Sequence, residues 1–271
     1  MSSIHVFLTR PQGRNGSVPE RLRAMGMRVY ELPALELRPL APTQGVPSPG
    51  DYDIVVFVSR YAVQRYLRLL ADVADGVPVW PVDTIAATVG ASSASALIRS
   101  GIIPHSRIVH PSEASSQDSE SLLAILLERR IRMKRVLIVR GTQGREWLAR
   151  SLTERGARVD FLPVYERVPA AWQPGIRTVL AQALERPAHC VFLLTSSEGI
   201  LAMARRLGES GLSAQWPNAA FVVIHERIGA TLQSVLASQP GYDARRLALC
   251  MPDDDSIVEA IRAVARLTAE P

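Results

Sequence analysis

The sequence predicts two doubly wound α/β domains, and three features carry that prediction. Apolar, β-branched segments of strand length alternate with amphipathic segments of helix length, the pattern of parallel sheets covered by helices on both faces. The chain also matches itself at an offset of 130 residues, with Arg10 falling on Arg140 and Gly26 on Gly156. Finally, its 271 residues are 47% apolar and 21% charged, enough for two cores of ordinary size.

The duplication sets the elements in order. "VFLTRPQGRNG" and "VLIVRGTQGRE" each read as a strand ending in an arginine-bearing loop. An amphipathic helix follows, then Gly26 or Gly156, where a left-handed helix end favours glycine. The matched strands "RVYELPALE" and "RVDFLPVYE" come next. Beyond them, "DYDIVVFVSRYAVQRYLRLL" parallels "HCVFLLTSSEGILAMARRL", and "IAATVGASSASALIRSG" parallels "FVVIHERIGATLQSVL". "IVHPSEASSQDSESLLAIL" and "LALCMPDDDSIVEAIRAV" complete the two sets.

Two proline-rich connectors, "LRPLAPTQGVPSPG" and "RVPAAWQPG", follow the matched strands. Tandem domains would place a connector near residue 133. The observed breaks instead predict a middle domain, residues 38–168, inserted into an outer domain made of residues 1–37 plus 169–271. The two connections then run side by side as a hinge, with a cleft between the domains.

Composition narrows the function. The formal charge is +5, carried by arginines except for Lys134, the single lysine. Arginine suits bidentate binding of carboxylate or phosphate, and one lysine at a strand entrance disfavours Schiff-base chemistry. The arginines are spread among glutamates with no basic block, so nucleic acid is not expected as a partner. No apolar run of about 18 residues predicts a membrane span, and the N-terminus lacks a secretory h-region. A cytoplasmic monomer is the simplest expectation. Cys190 and Cys250 sit in apolar runs and are expected to be buried, reduced thiols. The five histidines are scattered without ligand spacing, so no metal is expected.

In open α/β sheets ligands bind beyond the carboxyl ends of the strands. Six loops occupy such ends: Thr9-Arg10-Pro11, Ser59-Arg60-Tyr61, Gly90 to Ser93, Arg140-Gly141-Thr142, Thr195-Ser196-Ser197 and His225-Glu226-Arg227. Their hydroxyls can serve as helix N-caps; converging from two domains, the loops also make a polar, anion-binding cleft. No Walker loop, GxGxxG or GxSxG elbow is present. An enzyme built this way works by positioning, hydrogen bonding and one general acid. Tyr165, at the hinge, is the candidate acid; the alternative is an interfacial tyrosine with a packed ring and a wetted hydroxyl.

"LTRPQGR", "DYDIVVFVSRYAV", "TVGASSASAL", "LIVRGTQGREWLARSLTERGARVDFLPVYERVP" and "FLLTSSEGI", in that order, resemble the uroporphyrinogen-III synthase family over essentially the whole chain. The resemblance implies two flavodoxin-like domains joined by a two-stranded ladder. It implies a cofactor-independent and metal-independent lyase that closes hydroxymethylbilane to uroporphyrinogen III, inverting the last ring through a spiro intermediate. Tyr165 matches the family's favoured proton donor. Ser59, Ser93 and Ser196 match side chains holding the substrate's carboxylates, with Arg10 and Arg140 assigned there by charge. Arg60, Gly90, Gly141 and Ser197 fall in the same loops. Where many members carry "IGP", this chain has "IHERIGAT", so His225 or Arg227 is expected to face the substrate and Glu226 to point away. The expected partner is the small-molecule substrate, with transient contact to hydroxymethylbilane synthase also in view. From a different class, a two-lobed anion-binding protein or sensor would suit the same architecture.

Overall fold

The computed structural model describes residues 3–112, 118–144 and 146–267. Residues 113–117 of the serine-rich segment and Arg145 of the arginine-flanked loop therefore lie outside the described residues. The fold separates into two compact units, Met1–Glu36 with Val168–Pro271 (unit 1) and Leu37–Arg167 (unit 2).

Unit 1 holds strands β1 (His5–Leu8), β2 (Arg28–Glu31), β9 (Cys190–Leu194), β10 (Ala220–Val223) and β11 (Leu247–Leu249). They are ordered β2-β1-β9-β10-β11, and their pairings are parallel. Numbered within the unit this is 2-1-3-4-5, the flavodoxin-like order. Side chains alternate across the sheet as the strand period of two requires. Val6 and Leu8 meet helices α1 (Val18–Ala24) and α9 (Asp254–Leu267) through Leu22, Ile257 and Ile261. Phe7 points the other way, into a core with Leu180 of α6 (Pro174–Ala183), Met203 of α7 (Ser197–Glu209) and Leu232 of α8 (Glu226–Leu236).

Unit 2 holds β3 (Leu35–Pro39), β4 (Ile54–Phe57), β5 (Ile85–Thr88), β6 (Ile108–Val109), β7 (Arg135–Gly141) and β8 (Arg158–Pro169). The sheet order is β3-β8-β7-β4-β5-β6. Without β3 it is unit 1 again, with β7 and β8 in the places of β1 and β2. The repeat reaches the level of register: His5 pairs with Arg28 and Arg135 with Arg158, each shifted by the same offset. Helices α2 (Arg60–Ala74) and α3 (Ala91–Arg99) cover one face through Tyr66 and Leu97. Helices α4 (Ser119–Glu128) and α5 (Trp147–Thr153) cover the other through Leu122 and Leu152. Gly26 and Gly156, each just beyond a helix, have φ of 81° and 85°.

The copies diverge after Leu32. Counterpart β8 continues unbroken from Arg158 to Pro169, whereas the first copy of the repeat splits the same stretch into β2, in the unit 1 sheet, and β3, in the unit 2 sheet. The matched segment "RVYELPALE" is thus not one strand. Both passages of the chain between the units run through strands, β3 and β8, that neighbour one another in the sheet. The bonds Ala170 N–H to Ala34 O and Leu40 N–H to Val164 O bracket those passages.

Candidate functional site

In a 2-1-3-4-5 sheet the topological switch lies between strands 1 and 3, and ligand sites form beyond their carboxyl ends. In unit 2 these strands are β7 and β4. Strand β4 leads into Ser59, whose extended backbone (φ −160°, ψ 158°) ends the strand and caps α2. Its Oγ accepts the Ala62 N–H at 3.1 Å and lies 3.1 Å from the Tyr165 hydroxyl. The two residues come from strands separated by β7, so the tyrosine must cross that strand. Gly141 lets it cross: a Cβ there would lie 2.7 Å from Tyr165 Cε2. A register shift at Arg140/Gly141 brings Gly141 opposite Tyr165, and Thr142 N–H donates to Tyr165 O at 3.0 Å. Tyr61 closes the other side, edge-on to the Tyr165 ring at 5.2 Å.

The surroundings of Tyr165 bear on both readings of it, the general acid and the interfacial tyrosine. Tyr165 is 4% exposed and belongs to the core of unit 2 with Val139, Leu162 and Val164. Its hydroxyl is bound to Ser59 rather than simply wetted. Ser59 accepts one N–H and keeps both its proton and a second lone pair, so either hydroxyl can donate across the contact; when Ser59 donates, the phenolic proton is left for another acceptor. In unit 1 the equivalent of Tyr165, at the same offset, is Leu35. The tyrosine–serine pair is therefore specific to unit 2.

The arginines chosen by charge are largely occupied. Arg140 is buried and donates from Nε to Gly141 O at 3.1 Å and from Nη2 to Gly144 O at 3.0 Å, while its guanidinium lies over Phe161. It shapes the loop beside Tyr165. Arg10 donates to Pro252 O at 3.1 Å and sits 3.9 Å from Asp254. Asp254 in turn accepts the Ser17 N–H and hydroxyl, and these bonds, the backbone one foremost, hold its carboxyl below the usual range. Arg10 thus ties two loops of unit 1 together. Arg60 begins α2, half-buried, with its Nε enclosed and without a partner among the described residues.

The remaining positions fall into place within their own units. Gly90 is the N-cap of α3, and Ser93, in its first turn, is buried rather than presented. Ser196 caps α7, accepting Gly199 N–H at 3.0 Å, while Ser197 Oγ accepts from Thr231 Oγ1 at 2.8 Å. His225 caps α8 through Nδ1, which accepts Arg227 N–H at 3.0 Å. That bond keeps the proton off Nδ1 and leaves Nε2 as the donor. Glu226 and Arg227 are both exposed. The structure thus groups Ser59, Arg140, Gly141 and Tyr165 tightly, and adds Tyr61 and Thr142, which sequence reasoning left out as site residues. Tyr61 was within reach, two residues beyond Ser59 in a quoted motif. Cys190 is buried, and burial pushes its thiol up to about 12. Cys250 departs from the expectation in being only partly buried.

Residues 17–239 match the sequence profile described as uroporphyrinogen-III synthase HemD. The chain belongs to the uroporphyrinogen-III synthase family. Family relatives include the uroporphyrinogen-III synthase of Salmonella typhimurium, 32% identical over 172 residues, and that of Escherichia coli, 30% identical over 171. Each match covers 60% of this chain and 65% of the relative, so the chain spans just under two thirds of those curated family members. The fold agrees with solved family structures at low identity. The Helicobacter pylori uroporphyrinogen-III synthetase superposes with a TM-score of 0.59 at 14% identity, covering 97% of this chain and 100% of that one. A mutant synthase from Thermus thermophilus gives 0.54 at 15%, covering 98% and 100%. Among the described residues no helix is long and apolar enough to cross a membrane.

Proposed function

We propose that this chain is a uroporphyrinogen-III synthase, a lyase that closes hydroxymethylbilane to uroporphyrinogen III with inversion of the last ring. The observation that carries the reading, beside family membership, is the Tyr165–Ser59 pair over Gly141 at the switch point of unit 2. Ring closure begins with loss of the terminal hydroxyl as water, giving an azafulvene. Tyr165 donates the proton to that departing oxygen, and the Ser59 hydroxyl turns toward the phenolate oxygen left behind. The substituted carbon of the last ring then attacks to give the spiro intermediate, which fragments and recloses with the ring inverted; the carbon that forms the final bond loses its proton, which restores the ring's aromaticity and the Tyr165 phenol. Selection of that carbon over direct, uninverted closure is a matter of holding one conformer. On unit 2, Arg60 and the α3 start at Gly90 hold substrate carboxylates. The reading places the protein in the cytoplasm as a monomer, and two free cysteines suit a reducing compartment.

The decisive experiment generates hydroxymethylbilane enzymatically, adds this protein, oxidises the product and separates the porphyrin isomers. Isomer III in excess over isomer I is the expected result. Isomer I alone, at the uncatalysed rate, would sink the synthase reading and favour a hinged anion-binding protein. Tyr165→Phe keeps the ring and removes the acid; general acids contribute about 10²–10⁴-fold to rate, so turnover is expected to fall by at least the lower figure. Unchanged turnover would remove Tyr165 from the mechanism.

A further inference from the structure

The turn that opens α2 grips Tyr165 at both its oxygen and its ring. Ser59 Oγ meets the Tyr165 hydroxyl at 3.1 Å. Two residues on, the Tyr61 ring stands edge-on to the Tyr165 ring, with 5.2 Å between centroids and 85° between planes. That is the favoured T-shaped arrangement of an aromatic pair. Tyr61 is partly buried and packs against the unit 2 core that contains Tyr165. The contact is made by its ring and not by its hydroxyl.

Neither tyrosine is needed to build the turn. Unit 1 has the same extended cap residue at the start of α7, where Ser196 accepts Gly199 N–H as Ser59 accepts Ala62 N–H. There Glu198 stands in the place of Tyr61, and Leu35 in the place of Tyr165. The cap is common to both copies; the aromatic pair is confined to unit 2. Ser59 by itself holds the phenol incompletely, because either hydroxyl can be the donor and the bond changes as the phenolic proton leaves. The ring contact involves no proton and persists through the transfer.

We propose that Tyr61, given Tyr165 as the general acid of the proposed reaction, is a positioning residue: its ring holds that of Tyr165 in the orientation from which the phenol gives up its proton. Tyr61 itself transfers nothing. A general acid has to lie within hydrogen-bond reach of the atom it protonates, and a displacement of about 1 Å can cost about 10²-fold. Loss of the Tyr61 ring therefore acts on the rate of the chemical step and not on substrate binding.

Steady-state formation of isomer III tests the proposal on wild type, Tyr61→Ala, Tyr61→Phe, Tyr165→Phe and the double variant Tyr61→Ala/Tyr165→Phe. Tyr61→Ala should lower kcat by about 10–100-fold with KM close to that of wild type. Tyr61→Phe, which keeps the ring, should recover most of the loss. In the Tyr165→Phe background Tyr61→Ala should cost little more, since no acid is left to position. A raised KM with unchanged kcat, a loss in Tyr61→Phe as large as in Tyr61→Ala, or an equal loss in both backgrounds would each overturn the proposal. Isomer I alone from wild type, or full turnover in Tyr165→Phe, would overturn the reading of Tyr165 as the acid and this role with it. Turnover lost in Tyr165→Phe but kept in Tyr61→Ala would overturn the role of Tyr61 alone. Thermal midpoints by circular dichroism identify a variant that does not fold. Wild-type protein then supplies the second readout, nuclear Overhauser contacts between the ring protons of Tyr61 and Tyr165, whose presence is expected and whose absence would overturn the proposal.

Discussion

Gly141→Ala isolates the crossing of Tyr165 over β7. The added Cβ would meet Tyr165 Cε2 at 2.7 Å, Cζ at 3.0 Å and Cδ2 at 3.3 Å. Carbon atoms pack best at about 3.5–4.0 Å, so the ring has to retreat by roughly an ångström. That movement breaks the 3.1 Å bond to Ser59 and loosens the 5.2 Å contact with Tyr61. Overpacking costs about 1–3 kcal/mol, and the lost hydrogen bond adds about 0.5–1.5 kcal/mol. Against this, alanine limits the unfolded chain and returns about 0.4–1 kcal/mol. The net is a loss of about 2–3 kcal/mol, and at about 2–4 °C per kcal/mol the unit 2 transition should fall by about 5–10 °C. The same substitution in a Tyr165→Leu background meets no ring. Its cost there should shrink to about 0.5 kcal/mol or less, the additivity limit. Thermal unfolding followed by circular dichroism, on all four members of the cycle, reads both numbers. An equal loss in the two backgrounds would refute the account, because the obstruction would then lie elsewhere. Isomer analysis of Gly141→Ala adds a functional arm: a displaced Tyr165 should slow isomer III formation although the hydroxyl is still present.

Three further outcomes are expected. His5 has a folded-state pKa below its ordinary 6.5, so on acidification the unfolded chain takes up the proton first. Stability from this residue is therefore complete above about pH 6.5 and lost as pH falls from there toward the lowered value; His5→Gln should flatten that limb of a midpoint-versus-pH curve. Gly26→Ala and Gly156→Ala each force a side chain into a left-handed position, with φ of 81° and 85° and nothing within 4 Å of the new Cβ. Each should cost about 1–2 kcal/mol by chemical denaturation, and closely similar values are expected from the two copies. Native alkylation with a maleimide followed by peptide mapping should label Cys250 and spare Cys190, whose thiol is buried and raised to about 12.

The fold was legible because the duplication is written into single residues. Arg28 and Arg158, Val29 and Val159, and Leu22 and Leu152 mark equivalent strand and helix positions, and the registers reproduce the same shift. The continuation of the match past Leu32 misled, since local strand propensity in "ELPALE" carries no information about which sheet receives it. Within the candidate site, Ser59 and Tyr165 were each visible as strand-end residues, but not their contact. They are 106 positions apart, and their meeting depends on the absence of a side chain at Gly141. The contacts of Arg10 and Arg140 were hidden for a different reason. A guanidinium is satisfied as well by carbonyls as by a ligand's carboxylates, and sequence does not say which will be nearer.

The inserted order of the units also sets a schedule for synthesis. Unit 2 is an uninterrupted run, Leu37–Arg167, and can close its sheet as soon as that run has emerged. The central strand of unit 1, β1, cannot: its partner β9 begins at Cys190. At about 5–20 residues per second, the nascent chain carries β1 and β2 for roughly 10–30 s before β9 arrives. Throughout that interval "HVFL" offers an apolar strand with one open edge, the kind of surface that invites misassembly. Strands β1 and β2 thus emerge well before the strand that secures them.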